Sequence, residues 1–202
     1  MSTITSTSPT LPLLPLASPV VYRMTVDEYE RIADALDAPV ELIDGYLVER
    51  TDMNPPHVLV TERLRRRLDR LVGQGWFVRE DKPVRIPDFD EPRPDLAVMR
   101  GDPETYDDHH PGPEDVALLV EVSPASLDRD QGSKWLAYAR SGIPVYWIVN
   151  LVDRRVEVYT DPGPAGYGSR VDFPPGQDVP VVIAGVEVGR IAVADLLPRP
   201  RP

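Results

Sequence analysis

Val26, Tyr29, Ile32, Ala33 and Leu36 recur at three- and four-residue spacing, and Thr25-Val26-Asp27-Glu28 stands ahead of them. That pattern predicts a short helix opened by a capping box. Residues 40–49 read as two strands turning at Asp44-Gly45, the dipeptide a tight hairpin favours. Pro55-Pro56 then opens a long helix over about 57–72, with Val60, Leu64, Leu68 and Leu71 on one stripe, ended by Gly73 and Gly75.

Three strands are predicted next, over 76–78 continuing to about 86, over 96–99 and over 116–122. A polar, Pro-rich loop (101–113) separates the last two. A helix over about 131–140, N-capped by Asp130 and stopped at Gly142, leads to a strand over 145–149. Strand, helix, strand at this spacing makes the two strands parallel. Beyond it, 155–160 reads as a hairpin strand, 161–178 as a Gly/Pro loop, 179–183 with 187–189 as a final hairpin, and 193–197 as a closing turn. The class is therefore α/β, a mixed central β-sheet flanked by helices. The folded domain is expected over 24–197, with a Ser/Thr/Pro-rich tail over 1–23 and a short tail over 198–202.

The chain has 202 residues, 42% of them hydrophobic and 27% charged, enough apolar material for one core. It has no Cys, which excludes disulfides, a thiolate metal site and a Cys nucleophile and leaves oxygen or imidazole for any metal. The net charge of −11 argues against loose attraction to nucleic acid or an anionic membrane but permits a local basic surface. No apolar run approaches the roughly 18 residues of a membrane span. The first nineteen residues lack a basic n-region and are broken by Pro9, Pro12, Pro15 and Pro19, so no membrane association is expected and the expected location is cytoplasmic.

Candidate chemistry starts at Ala117-Leu118-Leu119-Val120-Glu121-Val122, apolar on both faces and so central in the sheet. Glu121 is its one charged residue, and desolvating it costs several kcal/mol, on the order of what a cation or donor must offset. In Arg93-Pro94-Asp95-Leu96-Ala97-Val98, Asp95 shares a face with Ala97 and Met99, on the strand expected beside that of Glu121. Two such carboxylates make an oxygen site suited to Mg²⁺. Lys134, one of two Lys against 20 Arg, falls in the first turn of the following helix, where its side chain reaches back over the strand end. The plainer readings are a Glu at a strand end reaching water or an Arg, a loop-capping Asp and a solvated Lys. Glu41 lies in a strand whose alternation could leave it on a solvated edge. His57, at the start of the long helix, reads first as structural, with donation to the site as the alternative. His109-His110 after Asp107-Asp108 has metal-like composition but reads as a solvated loop.

Pro-Asp, then Glu, then a Lys on the next helix resemble the PD-(D/E)xK nuclease arrangement, with Ser123 at the usual lysine position and Lys134 as its substitute. The fuller set comprises Glu41-Leu42-Ile43-Asp44-Gly45, His57, Arg93-Pro94-Asp95, Glu121-Val122-Ser123-Pro124, Asp130-x-x-x-Lys134, Tyr138 and Gly142-Ile143-Pro144-x-Tyr146-Trp147-Ile148-Val149. It resembles the Uma2 family of restriction-endonuclease-like proteins. The resemblance spans about residues 24–197; Val145 departs from it, where the family usually has Glu. It implies a restriction-endonuclease-like αβββαβ core with an added C-terminal β-hairpin, and a nuclease using Mg²⁺ or Mn²⁺. It implies Asp95, Glu121 and the Val122 carbonyl as metal ligands, Lys134 as the water-positioning cation and Glu41 as a further acidic catalytic member.

On the substrate side, residues 61–100 carry ten basic and eight acidic residues, +2 against −13 for the remainder. Arg63, Arg66, Arg67 and Arg70 form one helical stripe, a candidate phosphate-tracking surface for nucleic acid, DNA first. The alternative is a solvated face paired to Glu62 and Asp69. The function expected is metal-dependent hydrolysis of phosphodiester bonds. Its rivals are a noncatalytic nuclease-fold module binding nucleic acid or protein, and a hydrolase of other phosphoesters. Apolar surface on the Trp147 strand and the last hairpin, together with the resemblance, suggests a homodimer.

Overall fold

The computed structural model describes residues 21–50, 54–123 and 130–199. The tail expected over 1–23 lies, up to residue 20, outside the described residues, as do 200–202 at the other end.

Helix α1 (Val26–Glu30) begins with the expected capping box: the Glu28 amide donates to Thr25 Oγ1, and the Thr25 amide donates to the Glu28 carboxylate at 2.9 Å. Strands β1 (Val40–Ile43) and β2 (Tyr46–Glu49) form an antiparallel pair. They turn at Asp44 and Gly45, both at positive φ, as a type I′ turn requires. A Cβ on Gly45 would meet Arg23 Cβ at 2.7 Å.

Helix α2 (Pro55–Leu71) follows, capped by Asn54 Oδ1, which accepts from the His57 amide at 3.0 Å. The central sheet has six strands in the order β3 (Trp76–Glu80), β4 (Leu96–Arg100), β5 (Val116–Ser123), β6 (Tyr146–Asn150), β7 (Arg155–Gly163), β8 (Gly166–Phe173). Only β5 and β6 run parallel, and helix α3 (Ser133–Arg140) lies between them in the chain. A separate hairpin, β9 (Asp178–Ile183) with β10 (Val186–Ala192), leads into the single turn of α4 (Val193–Leu196).

The layers follow from strand alternation. Val60, Leu64 and Leu68 of α2 pack with β9, β10 and α4 against Leu96, Val98, Leu118, Val120, Trp147 and Val149. The opposite face, Ala97, Leu119, Tyr146, Ile148 and Tyr159, receives Ala137, Tyr138 and Ala139 of α3. The run α2-β3-β4-β5-α3-β6 is the αβββαβ order, and the fold is mixed α/β as the hydrophobic pattern predicts.

The fold departs from the sequence pattern at several places. Strand β3 stops at Glu80 rather than near residue 86, because Asp81 takes a positive φ and turns the chain. The segment expected to be a loop over 161–178 is largely strand: β7 and β8 extend a hairpin through it, so the sheet gains an edge strand. Asp130 does not cap α3, whose N-cap is Gly132 with no side-chain bond. Trp147 is fully buried in the core on the face that α2 and the β9–β10 hairpin cover, so its strand offers no outward apolar surface for a partner. Among the described residues no helix is long and apolar enough to cross a membrane.

Gly166, at φ +125°, starts β8 directly against the Trp135 ring of α3, where a Cβ would come within 1.7 Å of the ring. Gly166→Ala is expected to destabilise the fold by about 2–4 kcal/mol in urea unfolding. Gly73→Ala, with open space around it, should stay within about 0.5 kcal/mol of wild type.

Candidate functional site

Four elements bring charged side chains together at the C-terminal end of β5. The β4–β5 register sets Leu96 opposite Val120, so Asp95 and Glu121 fall side by side on one face. The Val122 amide donates to Asp95 Oδ2 at 2.6 Å, and His57 Nε2 lies 3.0 Å from the same oxygen. From the helix over that face, Lys134 Nζ donates to Glu121 Oε1 at 3.0 Å and lies 3.0 Å from Glu41 Oε2. Tyr138, one turn further on, donates its hydroxyl to Glu121 Oε1 at 2.8 Å. Glu41 Oε2 also accepts from the Arg93 amide at 3.0 Å, and the Glu91 amide donates to Leu42 O at 2.8 Å. Strand β1 thereby braces the loop that leads to Asp95.

Glu41, Glu121 and Lys134 are almost wholly buried, at 1%, 4% and 5% exposure. Burial, then the neighbouring carboxylates of Asp95, Asp130 and Glu41, outweigh Lys134 and hold the Glu121 carboxyl well above the usual range. Burial alone would lower the Lys134 ammonium, but Glu121 and Glu41, then Asp130 and Asp95, raise it above its ordinary value. One ammonium thus faces four carboxylates, and the pocket carries excess negative charge. Each of the paired carboxylates keeps an oxygen, Asp95 Oδ1 and Glu121 Oε2, outside the bonds just described. Among the described residues no three His, Asp or Glu side chains surround a common metal position.

The segment that carries Lys134 is fastened on two sides. Tyr146 donates its hydroxyl to Asp130 O at 3.0 Å, and Ser123 Oγ donates to the Asp130 carboxylate. Gln131 Nε2 donates to Glu157 Oε2 at 2.7 Å. Glu157 lies opposite Ile148, which lies opposite Glu121. It is a second buried carboxylate on the same row, and Asn150, Arg155, Tyr159 and Arg170 also bind it. Burial works against its charge, but the bonds from Asn150, Tyr159 and Gln131 prevail and hold its carboxyl below the usual range. Sequence reading missed this group. Alternation in β7 suggests a solvated Glu between two Val, and only the covering hairpin and the Asn150 at the end of an otherwise apolar β6 hint otherwise. His57, read first as structural, stands against Asp95.

Two of the four arginines of the α2 stripe are tied to the C-terminal turn of the fold. Arg63 donates to Leu197 O at 2.9 Å, Arg67 pairs with Asp195 at 3.0 Å, and Arg66 pairs with Glu62; Arg70 is exposed. His109 pairs with Asp108 at 2.6 Å. It shares with His110, Glu30, Arg85 and Glu91 the lining of a cavity of about 540 Å³. Burial, then the charge and hydrogen bond of Glu30, push the Glu91 carboxyl up to about 8.

The Uma2 family, described as "putative restriction endonuclease", matches residues 26–194, and the chain belongs to it. Among solved structures, the crystal structure of a "putative nuclease belonging to DUF820" from Anabaena variabilis ATCC 29413 superposes with a TM-score of 0.64. It is 16% identical, and the match covers 86% of this chain and 97% of that one; the two share a fold. Comparison with curated proteins found no match.

Removing the ammonium leaves Glu41 and Glu121 facing each other out of water. Lys134→Met is expected to cost about 3–5 kcal/mol in chemical denaturation, with part regained in Lys134→Met/Glu121→Gln. The Glu91 carboxyl is raised in the fold, so its contribution is complete below the unfolded value of about 4.3 and is lost as pH rises through about 8. Unfolding free energy should therefore decline from pH 5 to 9, and Glu91→Gln should flatten that decline.

Proposed function

We propose that the chain is a divalent-metal-dependent nuclease that hydrolyses phosphodiester bonds of nucleic acid, DNA first. The observation that carries this reading is the pairing of Asp95 with Glu121 on adjacent strands beneath Lys134, within a chain of the Uma2 family. The donor set fits Mg²⁺ or Mn²⁺. It offers only oxygen, it is over-supplied with negative charge, and Mg²⁺ typically takes one or two carboxylates and keeps its remaining waters. Asp95, Glu121 and the Val122 carbonyl would hold it. A divalent ion there supplies Lewis-acid charge toward a phosphoryl oxygen and the attacking water.

The chain's own groups do the positioning. The Val122 amide and His57 hold the Asp95 carboxylate in one orientation. Lys134 keeps its proton because four carboxylates raise it, so it acts as a donor that orients water and offsets charge on the phosphoryl oxygens, not as a base. Glu41 and Tyr138 fix where that ammonium and Glu121 sit.

A second reading has its own observation behind it. Lys134 already bridges Glu41 and Glu121 in a closed, buried cluster, as a noncatalytic module that keeps only the fold would require.

Supercoiled plasmid with Mn²⁺ separates the two. The nuclease nicks it, and Asp95→Ala or Glu121→Ala each lower the rate on the order of a hundredfold or more. Asp95→Ala should also weaken Mn²⁺ binding in calorimetric titration. Plasmid binding with no nicking by the wild type supports the module.

A further inference from the structure

We infer that Arg79, with Lys82 and the ring of Tyr106, forms a phosphate pocket that grips a nucleic acid strand beside the carboxylate cluster. The ligand class rests on the nuclease reading; the pocket itself does not. Arg79 lies in β3 opposite Ala97, on the face that carries Asp95 and two residue pairs away from it. The Asp81 amide donates to Asp95 O at 3.1 Å, so Lys82 directly follows the residue that ties this edge to the site. A cavity of about 360 Å³ opens here, lined by Arg65, Phe77, Arg79, Lys82 and Tyr106 together with Glu80.

The charge in this cavity is not balanced internally. Arg65 pairs with Glu80 at 3.3 Å. Arg79 has no carboxylate partner among the described residues, and its Nη1 is buried without a hydrogen bond to any of them. Burial pushes the Arg79 guanidinium below its ordinary value. A desolvated guanidinium costs free energy unless it meets an anion, and its flat fork matches two phosphate oxygens.

The aromatic wall is built in. Tyr106 ends a 3₁₀ turn (Pro103–Tyr106) capped by Asp102, and its hydroxyl donates to Arg100 O at 2.8 Å. Its ring stands 6.0 Å from that of Phe77 and 5.7 Å from the Arg79 guanidinium carbon. Arg79 is thus held on an aromatic face with its donors uncommitted, whereas Arg63 and Arg67 of α2 are occupied within the fold.

The test is fluorescence anisotropy of a short labelled DNA duplex in EDTA, which reads binding without cleavage. Arg79→Ala should weaken binding about tenfold and lower the slope of log affinity against log salt by about one. Arg79→Lys should keep the slope while recovering only part of the affinity, because the point charge remains and the fork is lost. Arg190→Ala, on the β10 strand where Arg190 pairs with Glu187, serves as the control and should match wild type. Should Arg79→Ala fail to give a wild-type circular dichroism spectrum, Arg79→Lys and Lys82→Ala carry the same comparison. Wild-type affinity and slope in the folded Arg79 variants overturn the inference. So does a thermal shift by inorganic phosphate that depends on Arg79 while duplex binding ignores it, since the pocket would then serve a free anion. Arg79-dependent binding without plasmid nicking leaves this inference standing and removes the nuclease reading. Asp95-dependent nicking with Arg79-independent binding does the reverse.

Discussion

The ammonium of Lys134, buried between Glu41 and Glu121, is the interaction on which the rest of the site depends. Each partner comes from a different part of the chain: an N-terminal hairpin, the middle strand of the sheet and the helix after it. Taken alone, each of those charges is costly to bury. Together they hold one another, and their assembly ties the small β1–β2 hairpin to the central sheet. The same cluster holds more carboxylate than it has cation to balance, a mismatch that suits a site whose work is done with a further positive charge present.

The lysine comes from a helix rather than from the strand that bears Glu121, and that displacement shapes the surroundings. Ser123 occupies the place two residues after Glu121 and bonds instead to Asp130. Helix α3, which carries the lysine, is fastened over the sheet by bonds of its own. Tyr146 takes the Asp130 carbonyl, Glu157 takes Gln131, and the Trp135 ring lies flush against the bare backbone of Gly166. The hairpin of β7 and β8, which lies outside the αβββαβ run, thereby becomes part of what aims Lys134. Glu157 binds two arginines, an asparagine, a glutamine and a tyrosine, and it anchors this outer layer as firmly as Lys134 anchors the inner one.

Charge is distributed with the same economy. A chain of net charge −11 has little general attraction for a polyanion, so contact with one must be local. Arg63 and Arg67 of α2 are committed to a carbonyl and a carboxylate at the C-terminal turn. Arg79 is held instead on an aromatic wall at the open edge of the sheet, beside the strand that leads into Asp95.

Much was determined by the sequence alone. The capping box at Thr25, the Asp44-Gly45 turn, the apolar stripe of α2 and the parallel pairing of β5 with β6 all follow from local spacing, because backbone geometry repeats at 3.6 or 2 residues wherever it occurs. The pairing of Asp95 with Glu121 was also within reach, since it needs only two neighbouring strands and their alternation. Tertiary structure decided what depends on covering. Glu41 and Glu157 look like residues of solvated strand faces and are buried because a helix and a hairpin close over them. Asp130 looks like a cap and instead serves Ser123, and Trp147 looks like spare surface and instead fills the core. The Gly- and Pro-rich stretch after residue 160 looks like loop and becomes an edge strand. In each case local chemistry permits two environments, and only packing between distant segments, which removes water from one of them, selects between the two.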